Sequence, residues 1–115
     1  MKKLQKIDFT PLEEIISYEL KFPIKFEVSI DTHKNRINLV SQELKGVAGI
    51  MTNMYDTLRI ETFGSDFVPD ENAYWMSLNF VWTYKSGGSN GTTLAHVIYD
   101  DETETWDVDM DNERF

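Results

Sequence analysis

From Ala73 to Lys85 the chain places Tyr74, Met76, Leu78, Phe80, Trp82 and Tyr84 at every second position, with Trp75, Ser77, Asn79, Val81 and Thr83 between them. A period of two held from 74 to 84 cannot be the stripe of a helix, whose period is 3.6; it demands an extended strand. Such a strand carries N–H and C=O groups along both sides and must find neighbours for them. The flanking sequence supplies candidates. Thr57–Phe63 reads as a strand before it, followed by an acidic, turn-rich loop over 64–72 (GSDFVPDEN). Ser86–Thr92 reads as a hairpin tip, with Asn90-Gly91 the pair favoured in tight primed turns. Thr93–Tyr99 then pairs back, Asp100–Glu102 turns again, and Glu104–Met110 forms a last strand with Trp106, Val108 and Met110 facing inward.

The first half is mixed. Thr10-Pro11 and Glu13 spell a helix start, with Thr10 as cap and Glu13 completing a capping box. Leu12, Ile15, Ile16 and Leu20 continue a helical stripe, and Pro23 stops it, so a helix is expected over 11–21. Ile24, Phe26, Val28 and Ile30 alternate as a half-buried strand, the turn 31–35 follows, and Arg36–Ser41 returns with Ile37 and Leu39 inward. Residues 43–56 fit a second helix through Leu44, Val47, Ala48 and Met51, weakened by Gly46 and Gly49. The expected fold is α+β: one domain over 1–115, an antiparallel sheet of about five to six strands ending in a C-terminal meander, and one or two helices on one face. Residues 1–8 are expected to be mobile. In element order alone the chain resembles the nuclear-transport-factor-2-like cone fold, which implies a sheet able to enclose a pocket.

Charge is unevenly distributed. The segment 100–115 (DDETETWDVDMDNERF) holds eight acids against Arg114, a balance of −7 within a chain at −9. Hydrophobic residues are 41% of the chain, so this acidity is not a signature of disorder. With Trp106, Val108 and Met110 inward, Asp107, Asp109 and Asp111 must face solvent, about 6.8 Å apart, in a rank similar in sign and pitch to nucleic-acid phosphates. The bland account is a solvated edge whose charges prevent aggregation. The functional account is a partner-binding surface formed by Asp100, Asp101, Glu102, Glu104, Asp107, Asp109, Asp111 and Glu113, extended by Asp66, Asp70 and Glu71 of the loop, with Trp75 as an aromatic anchor. Direct nucleic-acid binding is disfavoured, since the basic residues cluster only at Lys2, Lys3 and Lys6.

Other chemistry is poorly supported. The chain has no cysteine, which excludes disulfides and thiolate sites and fits a cytoplasmic location. Asp107-x-Asp109-x-Asp111 begins like a calcium loop, but Asn112 replaces the turn glycine, so no metal and no cofactor are expected. The glycines at 87, 88 and 91 lack the lysine and helix that follow a phosphate-binding loop. His33 lies in a turn. His96, read beside Leu94 and Ile98, is expected as a satisfied interior or interface histidine; a pocket formed with Tyr84, Trp82 or Asp56 would make it an acid–base group or a small-molecule site. No targeting segment or membrane span is evident. The leading expectation is a non-enzymatic inhibitor that sequesters a basic, nucleic-acid-binding protein. The chain resembles small acidic inhibitors (anti-CRISPR and anti-restriction proteins of phages and mobile elements, and immunity proteins against nuclease toxins) in size, charge and lack of a catalytic motif.

Overall fold

A computed structural model describes residues 7–44 and 55–111. It is an α+β unit: helix α1 (Thr10–Leu20) followed by strands β1 (Phe26–Asp31), β2 (Arg36–Ser41), β3 (Tyr55–Val68), β4 (Ala73–Tyr84), β5 (Ser89–Asp100) and β6 (Thr105–Met110). The strands form one antiparallel sheet in the order β1-β2-β3-β4-β5-β6. Every strand therefore lies beside its neighbours in the chain, as short turns permit.

Helix α1 covers one sheet face and touches both edge strands. Near its start, Trp106 of β6 donates its indole N–H to the Asp8 carbonyl (3.1 Å), and Phe9 packs on the same ring at 5.4 Å. Further along, Glu13 Oε2 accepts the Phe26 N–H of β1 (2.7 Å) and Ser17 Oγ accepts that of Ile24 (2.8 Å). The expected capping box is thus not formed. Thr10 is the first helical residue, Asp8 Oδ1 accepts the Thr10 N–H, and Glu13 is used across the chain instead. Ile7 is buried, and Asp8 is exposed but accepts the Thr10 N–H; residues 1–6 lie outside the described residues. The helix stops at Lys21, whose φ of 55° is left-handed, before Pro23. Leu12 and Ile16 are fully buried and belong to one core cluster with Ile37, Leu39, Ile60 and Leu78.

Several expected boundaries move. The segment proposed as a second helix lies outside the described residues from 45 to 54; its end, Tyr55-Asp56, belongs to β3. That strand continues through Gly64 to Val68, where a loop was expected, and only 69–72 turns. Val28, expected inward, is exposed because β1 is an edge strand. The β4–β5 turn uses Lys85–Gly88, not Asn90-Gly91. Gly87 and Gly88 take φ of 99° and 84°, the region only glycine enters freely. Asn90 and Gly91 instead pair with Trp82 and Val81 inside the sheet.

Two bulges decide which side chains face the helix. Thr62 pairs with Leu78 and Gly64 with Ser77, leaving Phe63 as an extra residue, mostly exposed. Leu78 pairs with Ala95 and Asn79 with Thr93, leaving Leu94 extra and buried. Each extra residue reverses the alternation beyond it. After Phe63, Ser65 faces the core and Asp66 faces away. After Leu94, Ala95, Val97 and Tyr99 face the core, while His96 and Ile98 face away.

The bulge in β3 also shapes its junction with β2. The β2–β3 ladder holds one residue pair, Val40 with Glu61. Side-chain hydroxyls supply the rest of the seam. Ile37 N–H donates to Ser65 Oγ (3.0 Å), Leu39 N–H to Thr62 Oγ1 (3.1 Å) and Ile60 N–H to Ser41 Oγ (2.8 Å). Thr62 and Ser65 are three apart, and both face β2 only because Phe63 is bulged out.

Candidate binding face

The sheet face opposite α1 is uncovered among the described residues. Cross-strand register arranges it in rows. One row runs Asp66, Trp75, Ile98, Asp107 across β3, β4, β5 and β6. The next runs Gly64, Ser77, His96, Asp109. Together they line an open groove of roughly 600 Å³. Neighbouring strands are about 4.8 Å apart, so Asp66 stands one strand from Trp75 and Asp107 two strands away on the other side. Asp66, Asp107, Asp109 and His96 are exposed, and no lysine or arginine is among the groove's residues. Trp75 is 44% exposed, and its ring nitrogen donates to Glu71 Oε1 at 3.3 Å.

The remaining acids collect at one end of the sheet. The β3–β4 turn carries Asp70 and Glu71; the β5–β6 turn carries Asp101, Glu102 and Glu104. The turns are joined by the Asp101 N–H donating to the Asn72 carbonyl (2.9 Å). Glu102, Glu104, Asp70 and Glu71 are exposed. Tyr99 lies beneath this end. Burial first, then the charges of Glu104, Asp101, Asp8 and Asp100, push its phenol above the usual range. Burial and the charge of Asp101 act on Tyr74 in the same direction.

Three of the expected surface acids are placed differently. Asp101 is buried at 7% exposure. Asp100 is half-buried and folds its Oδ1 back onto the N–H groups of Glu102 (2.9 Å) and Thr103 (3.1 Å), which hold its carboxyl below the usual range. It therefore builds the turn. Asp111 lies just past the end of β6, half-buried, with its N–H on the Leu94 carbonyl (2.8 Å), so the expected rank of three on one strand is a pair, Asp107 and Asp109. Glu113 lies outside the described residues.

His96 is exposed, not interior, because the Leu94 bulge turns it outward. Trp82 packs toward the core on the other sheet face, and Tyr84 shares its alternation, so neither shares a pocket with His96. Asp56 is exposed at the start of β3, beside a second register shift opposite Tyr84 and Thr83. His33 sits in the β1–β2 turn, its N–H on Asp31 Oδ1. Among the described residues no three His, Asp or Glu side chains gather as a metal ion would need. No helix of the described residues is long and apolar enough to cross a membrane. Reasoning from sequence missed His96 and Ile98 as outer-face residues, since only the bulge distinguishes that face. The composition of the two rows is carboxylates around an indole and an aliphatic side chain, open to solvent. Such a surface can attract and hold a cationic group. Neither a protein-family model, nor a curated protein, nor a solved structure matches the chain.

Proposed function

We propose that this protein is a non-enzymatic binding protein that sequesters a basic protein partner, of the kind that itself holds nucleic acid, through the uncovered face of its sheet. The observation that carries the reading is the groove in which Asp66, Asp107 and Asp109 surround Trp75 without a lysine or arginine. Carboxylates on a rigid sheet present fixed charge, which steers a basic protein during encounter and repels phosphates. The exposed indole supplies area at small entropic loss, as aromatic anchors do at interfaces. The acids at the sheet end, Asp70, Glu71, Glu102 and Glu104, extend the negative surface beyond the groove. An inhibitor of the anti-defence or nucleic-acid-mimic type needs these properties and no catalytic group.

The test is capture of basic nucleic-acid-binding proteins by the full chain and by a variant with Asp66, Asp107 and Asp109 all changed to lysine. The unaltered chain is expected to retain a basic protein with an affinity that falls at least about tenfold between low and physiological salt. The variant is expected to lose it while keeping its β-sheet spectrum. Equal capture by both chains, or an affinity indifferent to salt, refutes the proposal.

A further inference from the structure

We infer that the groove over Trp75 is a receptor for one arginine side chain of that basic partner, with the guanidinium lying on the indole between Asp66 and Asp107 and the aliphatic stem on Ile98. This rests on the reading above and names the contact that would give it specificity. The argument proceeds by elimination from the groove's chemistry. An anion would meet the carboxylates of Asp66, Asp107 and Asp109 with no lysine or arginine, and a single histidine, His96, to offset them. A purely apolar ligand would take those carboxylates out of water unpaired, which is costly. The occupant must carry positive charge.

The indole selects further. Its ring nitrogen is tied to Glu71, so the ring is held by one edge while 44% of the residue stays exposed. A flat, weakly hydrated guanidinium stacks on such a face and still bonds a carboxylate through its edge, whereas a compact, strongly hydrated ammonium gains less from either contact. The row order matters as well. Ile98 lies between Trp75 and Asp107 and is half-buried, an apolar seat for the methylene stem. Asp66 is available only because the Phe63 bulge turns it to this face.

The experiment uses the full chain and three probes: hexa-arginine, hexa-lysine and hexa-citrulline peptides. The readout is the Trp75 indole N–H resonance, assigned by its loss in Trp75→Phe. Hexa-arginine is expected to shift this resonance saturably, hexa-lysine to bind at least about threefold more weakly, and hexa-citrulline to leave it unmoved. Titration calorimetry measures the variants that lack this indole: Trp75→Ala is expected to weaken hexa-arginine binding about 3- to 30-fold and Trp75→Phe less. Asp66→Asn and Asp107→Asn should each weaken it, while Glu19→Gln, the same charge change on the exposed side of α1, should not. If arginine and lysine peptides bind equally and Trp75→Ala binds as the unaltered chain does, the arginine receptor is refuted while the acidic-face reading stands. If neither basic peptide binds, both fall.

Discussion

Replacing Ser65 by alanine should destabilise this fold far more than loss of a serine hydroxyl does at most strand positions. Ser65 is buried at 6% exposure, and its Oγ is the acceptor for the N–H of Ile37, which is fully buried. In an ordinary ladder a main-chain carbonyl would take that N–H. Here β2 and β3 share a single residue pair, Val40 with Glu61, and hydroxyls span the rest. Alanine removes the acceptor and leaves a buried donor without one, which costs about 1–3 kcal/mol. The small void left by one oxygen adds little beside that. Thr62→Val, which removes the acceptor for Leu39 at a less buried site, should cost about 0.5–1.5 kcal/mol. The two hydroxyls act on neighbouring N–H groups of the same strand, so the double variant should depart from additivity.

Urea unfolding measures the global loss. Amide exchange at Ile37 measures the local one, at about tenfold in rate for each 1.4 kcal/mol. Both should move together if β2 separates only when the whole sheet unfolds. A loss below about 0.5 kcal/mol, with Ile37 still as slow to exchange as before, would mean that its N–H has another acceptor. The account of the seam as hydroxyl-stitched would then be wrong.

Two further outcomes follow from other parts of the sheet. A Cβ added to Gly91 would lie 2.7 Å from the Phe80 carbonyl oxygen, a main-chain atom that cannot step aside, so Gly91→Ala should lower stability by about 1–3 kcal/mol in the same urea assay. Asp100 is held below its ordinary value of 3.8 by the Thr103 and Glu102 N–H groups. A depressed carboxyl contributes stability above its unfolded value and loses it as pH falls through the folded one, so the β5–β6 turn should loosen on acidification below about pH 4. Carbon NMR of the Asp100 carboxyl checks this, and Asp100→Asn should flatten that part of the acid profile.

The meander was legible because its evidence is dense. Trp106, Val108 and Met110 face the core side as their alternation predicts, and the β2 residues Ile37 and Leu39 are fully buried as expected. The α1 boundaries agree to within a residue because Pro11 and Pro23 punctuate them. What the sequence hid was parity. Leu58, Ile60 and Thr62 continued by twos would bring Asp66 to the core, and Leu94 would carry His96 there too. A bulge adds one residue to one strand and leaves no required residue type behind, so neither Phe63 nor Leu94 signals it. The misplaced hairpin tip has a different cause. Gly87-Gly88 and Asn90-Gly91 are both good turn pairs, and the choice rests on cross-strand register: with the turn at 85–88, Gly91 falls where the Phe80 carbonyl approaches too closely for a Cβ. Asp8 was passed over as the helix-start acceptor because Thr10-Pro11-Glu13 offered a complete local pattern, while Glu13 had a better partner in the Phe26 N–H, thirteen residues on.

The same comparison separates two kinds of acidic residue. Asp8, Asp31 and Asp100 accept N–H groups at a helix start and two turns; Glu13 and Glu43 accept those of Phe26 and Leu58. Their charge is part of the fold, and exchanging them for neutral groups would cost hydrogen bonds. Asp66, Asp107 and Asp109 have no such partner among the described residues, yet one bulged strand, β3, and one regular strand, β6, bring them to a single groove around Trp75. Like charges on one sheet face repel, and the register keeps Asp66 and Asp107 from facing each other directly by setting Trp75 and Ile98 between them, while Asp109 stands two residues along β6 from Asp107. The sheet tolerates the arrangement without needing it. A cationic partner is what would turn this arrangement from a mild repulsion into a binding free energy.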